Sequence, residues 1–161
     1  MTERQFICAL KKWLKDNNLK GVRKLRFHAD SMYDFRKRKI YVGIEDKGEA
    51  DGWFAEFLDS LGIEWEDIPT PVLCFLHELG HSQTIHSISK EILDECRVAK
   101  GVLRYYPDDE KNAAFVYWAL EDELAANKWL VNFVNTNPNA VCALCQYFID
   151  NWNNTVENIN L

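Results

Sequence analysis

The chain has 161 residues, of which 47% are hydrophobic and 13% are aromatic. This size and content predict one globular domain over residues 1–161. Because the formal net charge is −6, we expect neither nucleic acid nor an anionic membrane surface as a partner. No apolar run approaches the roughly 18 residues of a membrane span, and residues 1–12 lack the apolar core of a signal peptide. These features predict a cytoplasmic protein.

The first third of the chain predicts one helix followed by a small sheet. Residues 3–17 carry apolar side chains at helical spacing. Residues 24–28 and 39–44 alternate apolar and polar side chains on either side of a polar, turn-like stretch, within which residues 33–36 are a candidate third strand. We interpret these segments as a small antiparallel sheet, and we expect an exposed edge at residues 39–44 to accept an extended peptide.

The rest of the chain predicts only helices. Their apolar spacing and their start and stop signals place them at residues 51–61, from about residue 71 onwards, and at residues 89–105, 108–135 and 138–153. Gly62 ends the first of these helices, and Pro107 marks a break before the long one, for which Asp108 is the expected N-cap. The sequence therefore predicts an α+β fold that is mostly helical.

An HExxH motif spans residues 77–81 within the helix that begins near residue 71. Thr70 is the expected N-cap of that helix, and Pro71 falls at the favoured first position. On a helix, two histidines four residues apart project from one face and can bind the same Zn²⁺. The glutamate between them can reach a water on the metal as a general base. His77 and His81 are thus predicted metal ligands and Glu78 the predicted catalytic base, the alternative being two structural histidines beside a surface glutamate.

A catalytic zinc site needs a third protein ligand. The extended three-histidine motif is absent, because Thr84 replaces its glycine and His86 is one residue short of its last position. We therefore expect a carboxylate from a later helix. Glu123 is the best candidate since it shares an apolar-leaning face with small residues, and a buried carboxylate needs a partner there. Asp122 is the alternative ligand, and Asn127, one turn after Glu123, is placed to hydrogen-bond the carboxylate or a motif histidine.

A small sheet, an HELGH helix and a later helix with the sequence Glu-x-x-Ala-Asn together resemble the gluzincin-type zinc peptidases, most closely the small ImmA/IrrE family. The resemblance covers residues 70–86 and 119–130. It implies a zincin-like domain whose small sheet precedes the HExxH helix. It also implies that His77, His81 and Glu123 bind zinc and that Glu78 acts as the general base.

These observations predict a zinc-dependent metallopeptidase that hydrolyses peptide bonds of an intracellular protein or peptide substrate. The alternatives are a catalytically silent binding or regulatory protein with the same fold, such as one from a phage or mobile element, and a hydrolase of non-peptide amides. Hydrolysis also needs a donor for the developing oxyanion. By residue type alone, His28, Tyr105 and Tyr106 are candidates for this donor.

Overall fold

The structure is a computed structural model that describes residues 1–45, 49–65, 67–105 and 109–159. In chain order the described elements are α1 (Glu3–Asp16), β1 (Lys24–His28), β2 (Met32–Asp34), β3 (Lys39–Gly43), α2 (Glu49–Ser60), α3 (Thr70–Thr84), a 3₁₀ turn (Ile85–Ser87), α4 (Lys90–Leu103), α5 (Glu110–Trp118), α6 (Glu121–Thr136) and α7 (Pro138–Val156). The predicted α+β class, with helices predominating, is confirmed.

The three strands form a mixed sheet, so the prediction of an antiparallel sheet is wrong. Their order is β1-β3-β2, in which β3 pairs in parallel with β1 and antiparallel with β2. The short connection after β1 crosses the end of β3, where the Gly43 N–H donates to Ser31 Oγ over 3.0 Å. A Cβ at position 43 would lie 2.4 Å from the Ser31 nitrogen. Because Gly43 has no side chain, the connection can pass close to the end of β3, which lies between β1 and β2. As the central strand, residues 39–43 have no free edge.

The core lies between α1, one face of the sheet and the helices α3, α6 and α7. Helix α1 begins with a capping box, in which the Gln5 N–H donates to Thr2 Oγ1 and the Thr2 N–H donates to Gln5 Oε1. Its apolar stripe then contributes four buried side chains to the core: Phe6, Ile7, Leu10 and Leu14. Helix α3 is buried along most of its length because the sheet covers one side and α6 the other. The HExxH motif is thus held at the centre of the domain.

Two predicted helix boundaries need correction. The N-cap of α3 is Pro69, and no side chain caps this helix, so Thr70 is already its first helical residue. The long helix predicted over residues 108–135 is two helices, because Leu120 has an extended backbone with φ −59° and ψ 146°. This break begins α6 at Glu121 and brings the acidic residues 121–123 into its first turn, where the helix dipole favours them. The predicted break at Pro107 and the predicted cap at Asp108 lie outside the described residues.

Across the described ranges, none of the helices combines the length and hydropathy required to cross a bilayer. None of the five cysteines forms a disulfide.

Candidate metal centre

The centre is built where α3 and α6 pack together most closely. A Cβ at Gly80 on α3 would lie 2.5 Å from the carbonyl oxygen of Ala126 and 3.0 Å from its Cα. The two backbones are therefore in direct contact at this point, which only glycine permits. Because Ala126 lies one turn after Glu123, this contact brings the carboxylate of Glu123 to the two histidines of the motif.

Three ligand atoms meet in a nearly equilateral triangle. Glu123 Oε2 lies 3.0 Å from His77 Nε2 and 3.4 Å from His81 Nε2, and the two histidine nitrogens are 3.2 Å apart. A tetrahedral ion with bonds of about 2.0–2.1 Å holds its ligand atoms about 3.3 Å apart. All three side chains are mostly buried, and together they form a group that can hold a metal ion.

Asn127 fixes the tautomer of His77. Its side-chain N–H donates to the backbone carbonyl of Trp118, which can only accept, so its Oδ1 faces His77 Nδ1 at 2.8 Å. This oxygen can only accept in turn, and His77 Nδ1 must therefore carry the proton. Nε2 is thereby the ring nitrogen that faces Glu123 and the centre of the triangle, where it donates to Glu123 in the metal-free protein and can bind a metal after losing its proton. Asn127 is completely buried, which makes this arrangement rigid.

Lys100 on α4 holds the ligand carboxylate from the opposite side. Its Nζ lies 2.5 Å from Glu123 Oε1 and 2.5 Å from Asp122 Oδ2. Glu123 thus offers only Oε2 to a metal, while its other oxygen is occupied by the lysine. The same contact accounts for Asp122, whose side chain turns to Lys100 and does not join the triangle.

The charges of these groups shift one another's pKa values. Burial lowers the pKa of His77, but the hydrogen bond and the negative charge of Glu123 outweigh it and raise the value to about 9. For Glu123, burial raises the pKa, and the hydrogen bonds from His77 and His81 outweigh that effect and hold the value well below its usual range. Without a metal, His77 and Glu123 therefore stabilise each other's charged forms as a buried ion pair.

Glu78 lies beside the triangle and points towards the sheet. Burial is the main cause that raises its pKa, and the nearby charge of Glu123 adds to it, while His77 and His81 oppose the shift. The backbone N–H of Tyr33 on β2 donates to its carboxylate, which also lowers the pKa. A carboxylate with a raised pKa is suited to accept and release a proton near neutrality.

The centre opens into a cavity of about 830 Å³ between β2, α3, α4 and α5. Its walls are mainly apolar, and Phe54 packs its ring edge-to-face against His77 at 5.5 Å between ring centres. Tyr117 lies in the same wall, and its pKa is raised to about 12 by burial and by the charge of Glu123. Its hydroxyl therefore remains a neutral donor at physiological pH.

The structure brings together the predicted residues His77, Glu78, His81, Glu123 and Asn127. Several other residues considered from the sequence do not join the cluster. His86 and His28 are exposed, and Tyr105 is 84% exposed on the surface. Tyr106 lies outside the described residues. Apart from these residues, Cys74, one turn before His77, also lines the cavity but is not part of the group that can hold a metal.

Three residues that contact or line this site were not singled out from the sequence. Lys100, Tyr117 and the backbone of Tyr33 come from three different elements that lie far from the motif in the chain. Lys100 stands in a helix with several exposed charged residues and has no distinguishing spacing. Tyr117 lies just before the helix break at residues 119–120, and no local sequence pattern indicates that break.

No protein-family model, curated protein or solved structure matches the chain. The interpretation of the centre therefore depends on its own geometry.

Proposed function

We propose that this chain is a zinc-dependent peptidase with a zincin-like fold that hydrolyses peptide bonds of an intracellular protein. The observation that carries the proposal is the triangle of His77 Nε2, His81 Nε2 and Glu123 Oε2, with Glu78 beside it and a large cavity in front of it. A structural metal site would not need the carboxylate of Glu78, and a fourth protein ligand would close it.

Zinc is the metal that this donor set suits best. Two imidazole nitrogens and one carboxylate oxygen are the ligands of many catalytic zinc sites. The distances between the three ligand atoms match those around a tetrahedral zinc ion. Such an ion supplies Lewis acidity, which lowers the pKa of a coordinated water to near neutrality.

The side chains around the site then have separate tasks. Glu78 accepts the proton of the attacking water and passes it to the leaving amine. Asn127 and Lys100 hold His77 and Glu123 in the orientation that binding requires. Tyr117, which stays protonated, is the best-placed donor for the developing oxyanion since it lines the same cavity. We prefer it to His28 and Tyr105 because both of those side chains are exposed.

The substrate would enter beside β2. This strand is at the edge of the described sheet, lines the cavity and contacts Glu78 through Tyr33. An extended peptide can pair with the free edge of such a strand and lie across the centre. This path replaces the one expected along residues 39–44, which form the central strand.

The proposal is tested with Glu78→Gln, which removes the base but none of the three ligands. Metal content is measured by elemental analysis, and cleavage with a library of internally quenched peptides. We expect both proteins to bind about one zinc ion per chain, and only the unchanged protein to cleave. Full activity in Glu78→Gln would rule out this role, and a protein with neither zinc nor cleavage would favour the binding or regulatory alternative.

A further inference from the structure

The charge of this chain is divided unevenly along its length. Residues 1–45 contain 12 of the 19 lysines and arginines but only 5 of the 25 aspartates and glutamates, a net of +7. The remaining residues therefore carry a net of −13. The overall charge of −6, from which no nucleic-acid partner was expected, conceals a strongly basic N-terminal part.

The structure gathers six of these cations on one face. This basic surface consists of Lys11 and Lys15 on α1, Lys20 and Arg23 in the following connection, and Lys24 and Arg26 on β1. All six are exposed, and none forms an ion pair with any residue that the structure describes. All of them except Arg26 line a groove of about 380 Å³, and no acidic residue within the described ranges lines it. The positive charge of this face is therefore not neutralised locally.

We propose that the basic surface binds a single strand of nucleic acid through its phosphates. Protein–protein interfaces are depleted in lysine and are organised around apolar anchors. Nucleic-acid interfaces are polar and strongly positive. None of the large hydrophobic side chains that are exposed in the described residues lines the groove, because its apolar residues Leu14, Leu19, Val22 and Leu25 are buried or half-buried. Four of the six cations are lysines. Its composition thus fits a polyanion.

The shape of this face favours a single strand over a duplex. The groove between α1 and β1 has a volume of about 380 Å³, and a positively charged groove that follows the backbone is the usual site for a single strand. On β1, the cations Lys24 and Arg26 alternate with buried residues, so they stand about 7 Å apart on the same face, a spacing comparable with that of successive phosphates. Tyr41 on β3 lies opposite Arg26, and its ring contacts that of His28 at 5.4 Å. Lys39 Nζ lies 3.7 Å from the centre of the Tyr41 ring and covers one of its faces, so it adds a further cation at this end of the surface and leaves the other ring faces for a base.

The basic surface is separate from the metal centre. Its groove shares no lining residue with the cavity in front of the motif histidines. The groove adjoins the end of α3, where the Gln83 side chain donates to the backbone carbonyl of Lys20. Binding of nucleic acid is therefore expected with or without a metal, and this proposal does not depend on the proposed peptidase activity.

The test measures binding of a fluorescent oligothymidylate of about 16 nucleotides, at the upper end of single-strand site sizes, by fluorescence anisotropy. If about five phosphates are neutralised, the affinity should fall about 100-fold between roughly 50 and 200 mM salt. The variant Lys15→Ala/Lys20→Ala/Arg23→Ala should bind at least about tenfold more weakly, with a salt slope smaller by about 2.

The matched control is Lys90→Ala/Arg104→Ala/Lys128→Ala, which removes three exposed cations from outside the basic surface. It should bind as the unchanged protein does, and circular dichroism checks that both variants are folded. Equal loss in both triple variants would overturn the proposal, because it would reflect net charge alone. Tighter binding to polyglutamate, to phosphatidylserine vesicles or to a duplex of the same length would overturn it in favour of an acidic protein, a membrane or double-stranded DNA.

Discussion

Gly80 and Ala126 bring the two halves of the metal centre together, because at this point the backbones of α3 and α6 touch with no side chain between them. A Cβ at position 80 would lie 2.5 Å from the Ala126 carbonyl oxygen. Glu123 and Asn127 flank this contact on α6, and both reach His77. The separation of the helices therefore determines whether a carboxylate on one helix reaches histidines on the other.

Gly80→Ala should weaken metal binding without changing any ligand. The added methyl group must push α6 away from α3, which we expect to cost about 1–3 kcal/mol of stability and to displace Glu123. Zinc affinity is measured by competition with a chromophoric chelator, and stability by urea denaturation. Gly52→Ala is the control, since position 52 lies in α2 with no atom within 4 Å of the new Cβ. There, alanine should stabilise the helix by about 0.5–1 kcal/mol. Unchanged zinc affinity in Gly80→Ala would contradict this account.

Asn127→Ala should lower zinc affinity about 10–100-fold, because His77 loses the acceptor that fixes its tautomer. The buried carbonyl of Trp118 also loses its donor, which should cost about 1–3 kcal/mol. The control is Asn132→Ala on the exposed side of the same helix. Chelator competition and urea denaturation distinguish the two variants. Equal zinc affinity in both would show that Asn127 does not orient the ligand.

Lys100→Met should change the coordination geometry of the bound metal. With Glu123 Oε1 released from the lysine, the carboxylate can bind through both oxygens, so we expect about one additional oxygen ligand. The visible spectrum of the cobalt-substituted protein and X-ray absorption of the zinc form report this change directly. Lys100→Arg keeps the charge and the donors and should restore the original spectrum. A purely structural role for Lys100 would leave the spectrum of the methionine variant unchanged.

Zinc binding should release a proton. In the metal-free protein the pKa of His77 is raised from 6.5 to about 9, so the ring is protonated at neutral pH and must lose its proton to bind a metal. Apparent affinity should therefore rise about tenfold per pH unit between about pH 7 and 8.5. Calorimetry in two buffers of different ionisation enthalpy measures the release, expected to be about one proton. An identical enthalpy in both buffers would contradict the ion pair.

The same shift gives the stability of the metal-free protein a defined pH dependence. Because the pKa of His77 is higher in the folded than in the unfolded chain, its ion pair with Glu123 stabilises the fold fully below about pH 6.5. This contribution is lost as the pH rises through 9. Urea denaturation of the metal-stripped protein between these values should show the decrease, and zinc should remove it.

The candidate ligands could be predicted from the sequence because each is marked by its near neighbours in the chain. The spacing of His77 and His81 requires only a helix, and Glu123 stands out as a carboxylate among small and apolar neighbours. The close approach of α3 and α6 that brings these residues together requires a glycine at position 80, and the HExxH pattern does not specify the residue there. The sequence therefore predicted which residues meet but not how closely the helices approach.

Other features depend on tertiary contacts that leave no local pattern. The break between α5 and α6 has no glycine or proline at residues 119–120, and it is held partly by the Asn127 side chain, which bonds to the last carbonyl of α5. The position of β3 in the sheet follows from how the connection after β1 packs against Gly43. Lys100 reaches the centre only because α4 packs across α6.

The attachment of α4 also has a dynamic consequence. Cys96 is its only buried side chain, whereas nine residues of α3 are buried. Besides this cysteine, α4 is attached to the centre by the ion pair of Lys100 with Glu123 and Asp122 and by the approach of Lys100 to the Tyr117 ring, 5.1 Å from its centre. Local opening of α4 thus costs less free energy than opening of α3 or α6, and it would separate the wall of the cavity and release Glu123 Oε1 while the two motif histidines stay in place.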